Sequence, residues 1–218
     1  MPSGFDEEAY RAKLDRFNRS PGYQLDVERV HRFLSGVRFS ALLDLGCGTG
    51  AFLDDARRRY PGSAFDGVDL HDYGASRGIV GDITSEDLLA GRAYDVVTML
   101  HSINHVVDLG AALTSVARLL REGGHLVVVS PSAVYAALWK ILNEHRLLSI
   151  PGGDHTIVSY RSRGEIALAA ADRSLVLVSH ETYGEGLEVA WDGQRALVPG
   201  REIMIFAKLA SPAPRSAS

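Results

Sequence analysis

Three carboxylates, two histidines and a run of glycines carry the chemistry open to this chain. The run is Leu42-Leu43-Asp44-Leu45-Gly46-Cys47-Gly48-Thr49-Gly50, an apolar stretch that ends in an acid and breaks into spaced glycines. Glycines at 46, 48 and 50 allow positive φ and let a ligand lie against the backbone, and a helix starting at the turn aims free N–H groups at that ligand. A strand, glycine turn and helix start of this kind holds nucleotide cofactors in open α/β sheets. Gly46-x-Gly48-x-x-Ala51 also meets the relaxed dinucleotide motif, as NAD would require, and that motif needs an anion-friendly turn for a pyrophosphate. Asp44 argues against it. A carboxylate two residues before the first glycine repels a diphosphate and attracts a cofactor that bears an ammonium group.

S-adenosylmethionine is such a cofactor, and the chain resembles the class I S-adenosylmethionine-dependent methyltransferases of the small-molecule type. Their first motif, E/D-x-G-x-G-x-G, is matched by Asp44 through Gly50, and the likeness extends over most of the chain. The resemblance implies that the turn at Asp44, Gly46, Cys47, Gly48 and Gly50 passes under the methionine part of the cofactor. It implies that Asp69, with Leu70 beside it, grips the ribose hydroxyls, and that Asp82 meets the adenine amino group while Ile83 offers its backbone to the ring. It also implies a doubly wound, mostly parallel seven-stranded sheet of Rossmann-like type, with an antiparallel last strand.

Methyl transfer from a sulfonium is an in-line displacement, so much of the acceleration comes from alignment, and a base helps when the acceptor is protonated. Leu100-His101-Ser102-Ile103-Asn104-His105 leaves the fourth strand at the sheet edge where ligands bind. His101 is the first candidate for that base and His105 the second, with packing against the cofactor as the other reading of His101. His101-x-x-x-His105 has metal-ligand spacing only on a helical turn, and no acidic pair closes the strand, so no metal is expected. Cys47 is the only cysteine; it fits the turn as a small side chain, since nothing near it in sequence would form a thiolate.

The elements that position these groups follow from apolar periodicity. Residues 5–35 read as two helices parted by Ser20-Pro21-Gly22, an N-terminal segment expected to lie over the cofactor as a lid, with Tyr10, Arg19 and Tyr23 as residues of interest. The mostly apolar runs at 41–45 and 94–100 and the all-apolar run at 126–129 read as buried parallel strands. Between Asp69 and the pair Ile79-Val80 only residues 70–78 intervene, too few for the usual crossover of about ten to twelve residues, so the helix there should be missing or shortened. In that gap Tyr73 either covers the adenine pocket or stands as an exposed turn residue. Thr84 is placed to cap a short helix to Leu89, and Asp108 to cap an amphipathic helix that stops at Gly123-Gly124. A helix over 132–148 belongs to a substrate-side elaboration at 131–160, where His155, after the glycine break, is a further candidate to line the acceptor pocket. Ser162-x-x-Glu165 is a capping box, and 175–178 and 203–206 are the closing strands around a polar loop at 184–200.

Length and composition bound the rest. The 218 residues fit one domain, taken as 1–210, with 211–218 as a disordered tail. A hydrophobic share of 46% with 23% charged residues is ordinary for a globular chain. The net charge of −4 offers no basic surface for a polyphosphate chain, so the expected partner is a small-molecule acceptor and not nucleic acid. No run has membrane-spanning length and the acidic start does not read as a signal peptide, which leaves no membrane role and a cytoplasmic location as the expectation.

Overall fold

The structure is a computed structural model that describes residues 6–144, 159–191 and 194–210. Seven strands form one sheet: β1 Ala41–Leu45, β2 Ala64–Asp69, β3 Gly78–Val80, β4 Tyr94–Leu100, β5 Leu120–Pro131, β6 Leu175–Trp191 and β7 Gln194–Lys208. Their order is β3-β2-β1-β4-β5-β7-β6, with β1 to β5 parallel and β7 antiparallel to both neighbours. The strand order reverses between β1 and β4, and an open sheet binds its ligands at the carboxyl ends on either side of such a switch.

Among the described residues six helices flank the sheet: α1 Glu7–Asn18, α2 Pro21–Leu34, α3 Ala51–Arg59, α4 Leu109–Leu119, α5 Ala133–Glu144 and α6 Arg163–Ala171. Strand alternation splits the core into two layers. Leu43, Val97, Met99, Leu126, Val128, Met204 and Phe206 face α4 and α6. Leu42, Val96, Leu100, Val127, Val129 and Ile203 face α2 and α3. The central strands are apolar on both sides because both sides are covered, and each fully buried Val or Leu is worth ~1.5–3 kcal/mol.

Local chemistry sets several boundaries. Asp6, Ser20 and Asp108 cap α1, α2 and α4 by accepting backbone N–H bonds, and Ser162 with Glu165 forms the reciprocal capping box of α6. Asp95, where β4 begins, is a structural clamp. Although partial burial opposes ionisation, bonds from Arg121, Ser40 and Ala41 pull its carboxyl down to about 2.

Three expectations are corrected. Residues 84–92 form turns and not a helix from Thr84, because Asp82 Oδ1 accepts both the N–H and the hydroxyl of Thr84 and closes a tight local turn instead. The helix before β5 ends at Leu119, and the strand starts at Leu120; residues 121–124 bulge out, so that Tyr94 pairs with Leu120 and Val96 with His125. The segment 184–200 is strand and not loop, apart from 192 and 193, which lie outside the described residues: β6 and β7 pair from Leu175/Lys208 out to Trp191/Gln194 as a two-stranded ribbon. No helix forms between β2 and β3, as the spacing required. The 132–148 helix is present over Ala133–Glu144, while 145–148, His155 and the tail from 211 lie outside the described residues.

Candidate active site

The glycine turn is held in shape by the strand beside it. The N–H groups of Gly46 and Cys47 both donate to the Val68 carbonyl, at 2.7 and 3.1 Å, and the Gly48 N–H donates to Asp69 Oδ2 at 2.8 Å. Gly46 has φ +80 and lies so close to Ser102 that a Cβ would collide with the serine Cβ. Ser102 in turn donates its hydroxyl to the Leu45 carbonyl at 2.5 Å. The turn after β1 and the loop after β4 are thereby joined across the switch point.

Asp44 is buried just ahead of the turn, and the Thr98 hydroxyl donates to its Oδ1 at 2.7 Å. Burial pushes its pKa up to about 7, with the Thr98 bond opposing and the charge of Asp69 adding to the rise. Asp69 is also raised by burial, against the pull of backbone N–H groups of Gly48, His71 and Leu70. Leu70 is exposed, Ile83 is half-buried, and Asp82 is exposed with its carboxylate engaged by Thr84. Burial pushes the Cys47 thiol far up, so it packs as a neutral side chain.

Helix α1 lies across this turn. Leu14 reaches over Gly48, Tyr10 packs on Tyr73 at 5.8 Å between ring centroids, and His71 Nδ1 meets Glu7 Oε1 at 2.9 Å. Tyr73 is therefore buried and not an exposed turn residue. The depression beside Asp69, His71 and Tyr73 measures about 10 Å³. A larger cleft of about 270 Å³ opens behind the turn between α1, α2 and α3, where Arg19, Tyr23 and Thr49 line it.

His101 directly follows β4 with φ +60, an uncommon conformation for a residue other than glycine. Its N–H donates to the Val129 carbonyl at 2.8 Å, Phe17 meets the imidazole edge-on at 5.1 Å, and Nε2 lies 2.7 Å from Asp26 Oδ2. Asp26 is completely buried on α2. Its other oxygen accepts from the Tyr183 hydroxyl at 3.0 Å and lies 3.2 Å from Arg201 Nε. Residues from α2, β4, β6 and β7 thus meet at one carboxylate.

Asp26, Tyr183 and Arg201 were not singled out by sequence, although one signal was available for the first. Tyr23, Val27, Val30 and Leu34 mark the buried face of α2, and Asp26 falls within that face, where an acid requires a partner. His105 is half-buried at the end of the 3-10 turn Ile103–His105, its N–H donating to the Ser102 carbonyl. Because that turn is short and follows a strand, the two histidines do not share a helical face. The turn is pinned by Arg161, which is buried and donates to the carbonyls of Ile103 and Val107 at 2.8 and 3.1 Å. Among the described residues no group of three metal-ligating side chains comes together. No helix among them is long and apolar enough to cross a membrane.

A protein-family model described as a methyltransferase domain matches residues 7–180. A ubiquinone biosynthesis O-methyltransferase from Alkalilimnicola ehrlichii is 27% identical over 170 residues, which cover 71% of this chain and 68% of the relative. Among solved structures, a SAM-dependent methyltransferase from Archaeoglobus fulgidus superposes with a TM-score of 0.69 at 17% identity, covering 91% of this chain and 99% of the other. The N-methyltransferase NodS from Bradyrhizobium japonicum, solved with S-adenosyl-L-homocysteine, superposes with a TM-score of 0.60 at 15% identity over 88% of this chain and 90% of its own. At these identities the solved structures speak for the fold.

Proposed function

The chain belongs to the class I S-adenosylmethionine-dependent methyltransferases, and from that premise we propose that it methylates an oxygen or nitrogen of a small molecule with His101 as general base. Membership of this family sets aside the dinucleotide reading of the glycine turn. The small-molecule acceptor is in keeping with the O-methyltransferase relatives and with the net charge of −4.

The observation that carries the base assignment is the buried Asp26 carboxylate at His101 Nε2. A carboxylate can only accept, so it selects the tautomer with hydrogen on Nε2 and leaves the lone pair on Nδ1. That nitrogen takes the acceptor's proton as the new bond to carbon forms. Tyr183 and Arg201 keep Asp26 in place, and Phe17 holds the imidazole edge. His105 is the second candidate.

S-adenosylmethionine supplies an activated methyl group on a sulfonium. Its fit rests on a glycine turn held clear of side chains, where a Cβ at Gly46 would collide with Ser102, and on acids at the ends of successive strands. Gly46, Cys47, Gly48 and Gly50 would lie beneath its methionine part, Asp44 opposite the ammonium, Asp69 and Leu70 at the ribose, and Asp82 and Ile83 at the adenine. Helix α1 serves as a lid. It has no fully buried residue, so little apolar contact is lost when it lifts.

Isothermal titration with S-adenosylhomocysteine beside NAD tests the cofactor, with binding of the former alone expected. His101→Ala should leave that binding intact and slow methyl transfer by ~10²-fold or more. Unchanged turnover would reduce His101 to packing.

A further inference from the structure

On the opposite face of the sheet from Asp26, two polar side chains are buried side by side. Ser130 of β5 and Glu202 of β7 are direct partners in the antiparallel ladder, so their side chains stand together on one face. Alternation along the strands makes this the face of Leu126, Val128, Met204 and Phe206. Ser130 is fully buried and Glu202 is 4% exposed. Neither Ser130 Oγ nor Glu202 Oε1 has a hydrogen-bond partner among the described residues. Buried polar groups in folded proteins are paired as a rule, and an orphaned pair costs stability that function must justify.

The position is close to the proposed base. The His101 N–H donates to the carbonyl of Val129, the residue before Ser130, and Ser130 lies near the carboxyl end of β5 beside that of β4. Burial pushes the Glu202 carboxyl up, while the positive charge of Arg163 at the start of α6 opposes the rise.

We propose that Ser130 and Glu202 recognise an amino group on the methyl acceptor, receiving its N–H bonds at Oγ and Oε1. The inference rests on the methyltransferase reading above and adds the acceptor class. Glu202 can only accept when ionised and Ser130 Oγ can accept as well as donate, so the pair suits a charged group with two hydrogens to give. A primary amine or ammonium has them, a hydroxyl has one, and a carboxylate has none and meets repulsion from Glu202. An ammonium also makes the stronger, charge-assisted bond to a carboxylate.

The test uses the full chain saturated with S-adenosylhomocysteine and three probes of similar shape: 2-phenylethylamine, 2-phenylethanol and 3-phenylpropionate. Binding is followed by NMR chemical-shift titration. The amine should bind at least tenfold more tightly than the alcohol, and the carboxylate more weakly than either. Glu202→Gln and Ser130→Ala should each weaken the amine about tenfold without altering S-adenosylhomocysteine binding, and neither should lower the unfolding midpoint. Equal binding of amine and alcohol, or an amine affinity untouched by both substitutions, overturns the proposal. A lower unfolding midpoint in both variants with unchanged probe preference makes the pair structural and overturns it as well. Failure of S-adenosylhomocysteine to bind at all would instead count against the methyltransferase reading, and the three probes would still rank the site in the free protein.

Discussion

Replacing Asp44 with Asn should stabilise the fold at alkaline pH and deprive it of its cofactor. The carboxyl is buried, with a pKa of about 7 against an ordinary 3.8. Between those values the unfolded chain ionises Asp44 while the folded chain keeps it protonated, so the unfolded state gains and stability falls as pH rises. The loss levels off above about 7. At ~1.36 kcal/mol for each pH unit between the two values the penalty approaches ~4 kcal/mol, and an effective interior dielectric above the dry limit brings it to ~2–4 kcal/mol. Asn keeps the shape and still accepts the Thr98 hydroxyl, but has no charge to strip of water. Urea denaturation of both proteins from about pH 5 to about pH 8 measures the difference, and subtracting one curve from the other cancels the titrating groups that do not interact with Asp44. The variant should be the more stable at the alkaline end, by a margin that widens by ~2 kcal/mol across the range. Its affinity for S-adenosylhomocysteine should fall, because the ammonium has lost its counter-charge. A variant no more stable than the wild type at about pH 8 would refute the reasoning, since burial would then carry no ionisation cost.

Three further outcomes follow from the same geometry. Asp26→Asn can donate where the carboxylate only accepted, reversing the His101 tautomer; kcat should drop by ~10²-fold or more with S-adenosylhomocysteine binding retained, and an unaltered kcat would exclude the orienting role. Gly46→Ala forces a Cβ into Ser102 at positive φ, and adding the handedness cost to overpacking gives a loss of ~2–5 kcal/mol in urea; a loss under ~1 kcal/mol would show that the two loops are not in close contact. Amide exchange in α1 should be fast in the free protein and slower once S-adenosylhomocysteine binds, whereas identical exchange in both states would count against a lid.

The elements that hold the proposed cofactor site were legible because their signals are local. An apolar run into Asp44 and the glycines makes β1 and its turn, Asp108 caps α4, and Ser162 with Glu165 makes a capping box that needs only residues three apart. The absent helix between β2 and β3 followed from chain length alone. The misread places are those where two local choices compete. Thr84 could have capped a helix, but Asp82 offered its carboxylate two residues earlier and took the turn. The segment 184–200 carries glycines and charges that suit a loop, yet it forms strands because each edge finds the other across the ribbon.

Sequence by itself determined the family resemblance, the succession of the strands, and the residues at the carboxyl ends of the strands. It named His101 without its partner. Only the tertiary structure brought Asp26, Tyr183 and Arg201 to that imidazole, and set Ser130 against Glu202. The physical reason is that propensity and periodicity act over a few residues, whereas a buried charge is satisfied by whichever groups the packing of distant segments delivers to it. Position 26 lies on the second helix and position 201 on the last strand; no spacing rule connects them, and the sheet does.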